Sequence, residues 1–140
     1  MNLEKAILIA TEAHKNQKDK YGAPYLLHVM RVMTSGRTED EKIVGVLHDV
    51  VEDTDWTFEQ LQKEGFSNHI IDAIRCLSKT SDEENYDLFI ERIKGNQLAV
   101  KVKLNDLTDN LDVKRIPEVT GKDVERLNKY LKAYRLLAEL

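Results

Sequence analysis

The chain has 140 residues, 41% of them hydrophobic and 33% charged, with a formal net charge of −4, which is one domain's worth of ordinary globular sequence. No dense Lys/Arg stripe favours a nucleic-acid partner, no apolar run approaches the roughly 20 residues of a membrane span, and the run Ala6 to Ala10 behind Met1-Asn2-Leu3-Glu4-Lys5 is too short for a signal peptide. A single cysteine, Cys76, excludes an internal disulfide, so a cytoplasmic location is expected.

Leu3, Ala6, Ile7, Ala10 and Ala13 recur at the helical period and predict a first helix that ends in the polar stretch Lys15 to Lys20. Gly22 and Pro24 mark a turn, and Pro24 opens a second helix from about Tyr25 to Thr34, stopped by Ser35-Gly36. Thr38 with Glu41 is a capping-box pair and predicts a third helix through Ile43, Val44, Val46, Leu47 and Val50. Thr57 with Gln60 and Ser81 with Glu84 repeat that start signal, while Gly65 and Gly95 read as stops. Further helices are expected from about Ser67 to Leu77 and from about Gly121 to Leu140, the latter with Leu127, Tyr130, Leu131, Tyr134, Leu137 and Leu140 on its apolar side. Ala99 to Leu104 alternates partly like a strand, but Leu104, Leu107 and Leu111 continue at helical spacing and no partner strand exists elsewhere. A buried helix is therefore expected there. The pattern predicts an all-α fold, a compact helical bundle forming one domain over residues 1–140.

The third helix carries the chemistry. Residues four apart share a helix face, so a continuous helix sets His48 above Glu52 and Asp49 above Asp53. The apolar neighbours Val46, Leu47 and Val50 would hold this segment in the core. Carboxylates are costly to bury unless paired or bound to metal, and they are disfavoured at the negative end of a helix dipole. A divalent cation resolves both conflicts; the alternative is a polar helix end in water. His28, after Tyr25-Leu26-Leu27, and Asp106, between Leu104 and Leu107, are further polar residues in predicted core elements. By itself His28 also reads as a hydrogen-bonded core histidine. Two His and two Asp suit Mn²⁺, Fe²⁺ or Zn²⁺, and spacing does not choose among them. His14 reads as a group orienting a metal ligand, or as a helix-surface or capping residue. His69 and Asp82-Glu83-Glu84 read as a solvated helix start, and Trp56 as packing over the loop after the third helix or lining a cleft.

Three local patterns resemble one family. They are Ala13-His14 with Gln17, Lys20, Gly22, Pro24-Tyr25 and His28; Leu47-His48-Asp49-Val50-Val51-Glu52-Asp53-Thr54; and Val102-Lys103-Leu104-Asn105-Asp106 with Asn110. Together they resemble the HD superfamily of metal-dependent phosphohydrolases, and within it the hydrolase domain of the RelA/SpoT family and its stand-alone small alarmone hydrolases. The resemblance implies an HD-type bundle with His28, His48, Asp49 and Asp106 as metal ligands, for Mn²⁺ in this family. It makes Glu52 and Asp53 the catalytic acidic pair that orients and deprotonates water, and puts Lys20, Lys79, Asn110 and Tyr130 where similar proteins contact the nucleotide. The implied activity is 3′-pyrophosphohydrolysis of ppGpp-type guanosine polyphosphates by attack of a metal-activated water. The implied partner is a small-molecule nucleotide, with no nucleic acid and no membrane, and with a homo-oligomer left open.

The sequence also departs from that pattern. Asp19 stands where family members commonly carry an arginine that stacks on guanine, Leu107-Thr108-Asp109 replaces a more basic, His-containing stretch, and Val113 replaces a polar residue. The segment between His28 and His48 is short, and the length leaves no room for a synthetase domain. Two other readings follow: an HD phosphohydrolase acting on NADPH, a deoxynucleotide or a cyclic nucleotide, and a degenerate nucleotide-binding regulatory domain. The Glu52-Asp53 pair with Thr54 separates the alarmone reading from generic HD enzymes.

Overall fold

The computed structural model describes residues 2–81 and 83–140. Helices α1 (Asn2–Ala13), α2 (Tyr25–Ser35) and α3 (Glu39–Leu47) pack on one another and lead into the one-turn α4 (Val50–Asp53) and the short α5 (Phe58–Lys63). Then come α6 (Asn68–Leu77), α7 (Tyr86–Lys94), α8 (Gln97–Asn110), a 3-10 turn (Val113–Arg115) and α9 (Gly121–Ala138). The fold is all-α, as expected, and the described residues contain no strand beyond an isolated bridge between Lys18 and Pro24.

α8 is the central post, touching α2, α3, α6, α7 and α9. The Asn96 side chain starts it by accepting from the Ala99 N–H at 2.9 Å, and Val102, Lys103, Asp106 and Leu107 are buried along it. Burial on a face that repeats every three or four residues settles Ala99 to Leu104 as helix. Gly45 lets α3 lie against α2, because a Cβ there would stand 3.2 Å from Met33 Cα and N and from Val32 O. That close approach sets His28 of α2 beside His48, their ring centroids 5.6 Å apart.

Three expectations are corrected. The third helix does not run on through Val50: it ends at Leu47, and Asp49 (φ −104°, ψ 0°) caps a separate turn. His48 Nδ1 donates to the Gly45 carbonyl at 2.6 Å, an acceptor that an unbroken helix reserves for the Asp49 N–H. Ser81 and Glu84 do not start a helix. Asn85 caps α7 instead, accepting from Asp87 and Leu88, while Glu84 accepts from the Thr80 N–H at 2.9 Å; Asp82 lies outside the described residues. The apolar side expected for the last helix is mostly not core, since Ala133 and Leu137 are buried while Leu131, Tyr134 and Leu140 are exposed. Elsewhere the start signals hold: Thr38 accepts from Glu41, and Thr57 and Gln60 form a full capping box.

Candidate metal centre and substrate cleft

The four expected ligands come from α2, the α3–α4 break and α8. His28, His48 and Asp49 each offer a donor atom within 4.8 Å of the others, and Asp49, Glu52 and Asp53 form a second such group on the same break. Asp106 Oδ1 lies 2.9 Å from His28 Nε2 and 3.4 Å from His48 Nε2, and Asp49 Oδ2 is 3.1 Å from His48 Nε2. The break between α3 and α4, rather than a continuous helix, sets the direction of these groups. It turns Asp49 towards the imidazoles and moves Glu52 and Asp53 to the rim.

The surrounding groups fix the ligands. His48 commits Nδ1 to Gly45, leaving Nε2 facing the carboxylates, buried and without a hydrogen-bond partner. Tyr25 donates its hydroxyl to Asp49 Oδ2. Lys103 Nζ donates to Asp106 Oδ2 at 2.8 Å, and Asn110 donates to Oδ1 at 3.2 Å. His28 Nδ1 donates to Asp109 Oδ2 at 2.6 Å, and Asp109 is itself clasped by Arg31 and Arg115. His14 is buried rather than on a helix surface, with Nδ1 2.8 Å from the Gln17 amide oxygen and its ring against Tyr25.

Burial opposes charge on the two histidines, Asp49 and Asp106, and their mutual pairing overrides it. His28 is raised because Asp106 and Asp109 outweigh its desolvation, and His48 is raised well above the usual histidine value by Asp49 and Asp106. Asp106 is held well below the carboxylate range, against its burial, by Lys103 and the two histidines. Asp53 differs. Desolvation in the cleft, added to the charges of Asp49 and Glu52, pushes it up to about 7. An unpartnered buried imidazole nitrogen surrounded by carboxylates fits a divalent cation, which would bring positive charge to donors of the right chemistry. The cluster is a candidate divalent-metal site on that ground.

Two cavities flank it. One, of about 140 Å³, contains His48, Asp49, Glu52, Asp106, Lys79, Lys103 and Lys129. The other, of about 380 Å³, is lined by Lys20, Tyr21, Asp53, Arg115 and Arg126, and the two share Tyr25, Asn110 and Tyr130. Glu52 and Asp53, adjacent in sequence, therefore face different spaces. Glu52 also accepts from the Lys79 N–H at 2.6 Å. Of the expected substrate contacts, Lys79, Asn110 and Tyr130 line the metal-side cavity, and Lys20 lines only the second. Asp19 also lines the second cavity, with its carboxylate engaged by neighbouring groups. Its Oδ1 accepts from the Tyr21 and Ala23 N–H groups, and its Oδ2 lies 3.7 Å from Arg115.

Sequence reasoning named Lys103 within a motif and Asp109 as a departure but gave neither a role in the site, and it did not single out Lys129, Arg115 or Arg126. Lys103 and Asp109 were legible in principle, since each is three residues from Asp106 and so shares its helix face. Lys129, Arg115 and Arg126 carry no such signal, because only tertiary packing brings them to the cleft.

Comparison with known proteins places the chain. No family model matches it. It is 30% identical over 120 residues to a guanosine-3′,5′-bis(diphosphate) 3′-pyrophosphohydrolase of Aquifex aeolicus, covering 78% of this chain and 17% of that protein. It is 33% identical over 129 residues to the Drosophila melanogaster enzyme of the same designation, covering 84% of this chain and 72% of that one. The chain spans only about a sixth of the bacterial relatives it matches, 17% for both the Aquifex aeolicus and the Haemophilus influenzae proteins. A solved structure of a metazoan ortholog of SpoT, described as hydrolysing ppGpp, superposes with a TM-score of 0.80 at 26% identity, covering 97% of this chain and 84% of that one. With the fold, the histidine-aspartate cluster and a relative matched over most of both lengths, the chain belongs to the HD-type alarmone hydrolase family.

Proposed function

We propose that this chain is a metal-dependent guanosine polyphosphate 3′-pyrophosphohydrolase, cleaving ppGpp-type nucleotides to pyrophosphate and the guanosine 5′-diphosphate or 5′-triphosphate. The observation that carries the proposal is the convergence of His28, His48, Asp49 and Asp106 with the Glu52-Asp53 carboxylates at the rim of the same cleft. The domain is residues 1–140, the metal is Mn²⁺, and the location is the cytoplasm; no described helix is long and apolar enough to cross a membrane.

His28, His48, Asp49 and Asp106 would hold the cation, which when bound supplies charge that acidifies water and polarises a phosphoryl oxygen. Asp109 keeps His28 in the tautomer that presents Nε2, and Tyr25 fixes the Asp49 carboxylate. Glu52 and Asp53 orient the attacking water and take its proton. Asp53, raised to about 7 without the cation and brought lower by its charge, is a carboxylate able to accept that proton at neutral pH. Lys79 and Asn110 bind the phosphates on the metal side, and Tyr130 walls the junction of the two cavities. The second cavity, with Lys20, Arg115 and Arg126, takes the nucleoside and its 5′ phosphates. Because Asp19 is spent on loop amides and Arg115, the arginines of this cavity replace a stacking arginine at position 19.

A nucleotide-panel assay on the Mn²⁺-loaded protein, including ppGpp and NADPH, tests the assignment. Pyrophosphate released from ppGpp ahead of the other nucleotides is expected. Preferential turnover of NADPH would move the substrate, and no turnover of any nucleotide would remove the enzyme reading.

A further inference from the structure

The metal-side cavity carries positive charge and a donor beyond the proposed ligands and acidic pair. Lys79 follows α6, Lys103 lies in α8 and Lys129 in α9, yet all three line one small space around Tyr86. Lys129 Nζ lies 4.6 Å from the centre of the Tyr86 ring and 5.5 Å from that of Tyr130, while Lys79 Nζ is 5.8 Å from the Tyr86 ring. Lys103 spends its ammonium on Asp106. Among the described residues neither Lys79 nor Lys129 has a carboxylate within salt-bridge distance, whereas Lys94, Lys103, Lys114 and Lys132 do. Lys129, although exposed, is lowered by partial desolvation and by the nearby charges of Lys79, Lys103 and Lys20.

Tyr86 points to the same missing counterpart by a different route. Its hydroxyl oxygen is buried and has no hydrogen-bond partner. Burial pushes the phenol up to about 12, so it remains a protonated donor. A buried donor without an acceptor is costly, and so are like charges gathered without a counter-ion. A single group with several acceptor oxygens and more than one negative charge satisfies both demands.

We propose that Tyr86, Lys79 and Lys129 form a subsite for the terminal phosphate of the leaving pyrophosphate, with Lys103 adding charge from its anchor on Asp106. The subsite rests on the hydrolase reading above and deepens it. In that reaction the water oxygen bonds to the phosphorus attached to the ribose 3′ oxygen, and the P–O3′ bond breaks. Its electron pair stays on O3′, which takes up a proton, and pyrophosphate departs carrying the water oxygen. The reacting phosphate belongs at the metal cluster. The second phosphate needs positive charge beside it, and the lysines supply that charge. The subsite therefore selects pyrophosphate esters over phosphomonoesters, a preference that the metal ligands alone do not provide.

Calorimetric titration of the Mn²⁺-loaded protein with inorganic pyrophosphate, added as its Mn²⁺ complex, and separately with inorganic phosphate tests this. Lys129→Ala should weaken pyrophosphate about tenfold or more while leaving phosphate nearly unchanged, as expected for loss of a charge-assisted contact. Lys129→Arg should restore most of the affinity, and Tyr86→Phe should weaken pyrophosphate without altering the charge. Unchanged pyrophosphate affinity in both Lys129→Ala and Tyr86→Phe, equal weakening of both anions, or no pyrophosphate binding to the unmodified protein would overturn the subsite. Binding needs no turnover, so the two proposals separate. Lys129-dependent pyrophosphate binding without ppGpp hydrolysis keeps the subsite and removes the hydrolase, and the reverse result removes only the subsite.

Discussion

His28 donates from Nδ1 to Asp109 Oδ2 at 2.6 Å, so the ring's other nitrogen, Nε2, is the one presented to Asp106 and the metal cluster. The stretch Leu107-Thr108-Asp109, where the family pattern is more basic, thus has a use in this chain: it supplies the carboxylate behind a proposed ligand. Asp109→Ala is expected to weaken Mn²⁺ binding about 10- to 100-fold, the range for loss of a hydrogen bond behind a metal-bound histidine. Asp109→Asn, which can still accept from Nδ1, should lose less. Chelator-competition titration of both variants checks the order, and equal affinity for Asp109→Ala and the parent would show that His28 needs no such support.

Metal binding should release protons. Asp49, Asp106 and Asp109 raise both imidazoles above the ordinary histidine value, so a cation must displace protons that the metal-free cluster holds firmly. A raised pKa keeps the competing proton in place to higher pH, and apparent metal affinity should therefore fall as pH falls. Calorimetry at pH 7 in buffers of differing ionisation enthalpy is expected to report uptake by the buffer of about one to two protons per metal bound. No buffer dependence would mean that the histidines are already neutral.

Asp53 sets the expected pH dependence of the rate. Burial, Asp49 and Glu52 raise it to about 7, so it is protonated below that value and able to accept a proton above it. Cation charge in the cluster favours the carboxylate and lowers this value. The rate should accordingly climb with pH through a limb lying at or below about 7 and then level off. In Asp53→Asn the limb should flatten along with the loss of rate. An unaltered limb in that variant would assign the titration to another group.

Gly45→Ala tests the packing that brings the two histidines together. Its new Cβ would meet Met33 and Val32 backbone atoms at 3.2 Å, and backbone cannot rotate aside. Overpacking typically costs about 1–3 kcal/mol, against a gain of up to about 1 kcal/mol from alanine's better helix propensity. A net loss of about 1–2 kcal/mol should appear as a Tm lower by a few degrees, together with weaker metal binding as α2 and α3 separate. A Tm equal to or above the parent's would show that the helices have room to spare.

The helical period, the caps at Thr38 and Thr57, and the polar residues set in apolar runs made the bundle and the four-residue cluster legible from sequence. The break after Leu47 was not legible, because it depends on the His48 side chain taking the Gly45 carbonyl, a competition of two donors for one acceptor that periodicity does not register. The long apolar side expected of α9 failed for a related reason. Tyr130 packs half-buried against the core and lines the cleft, Leu131 and Tyr134 stay in solvent, and the buried apolar residues of α9 are Ala133 and Leu137. Lys129 and Tyr86 are distant in the chain, and nothing short of the tertiary fold brings an ammonium over that ring.

The most direct measurement compares bound metal and pyrophosphate release from ppGpp for the unmodified protein, Asp49→Ala and Glu52→Gln. Asp49→Ala should lose bound metal and activity together. Glu52→Gln should retain metal yet lose about 100-fold or more in rate, in line with removal of a group that handles a proton in the transition state. Full activity in Glu52→Gln, or metal bound normally with no pyrophosphate released by the unmodified protein, would contradict the account.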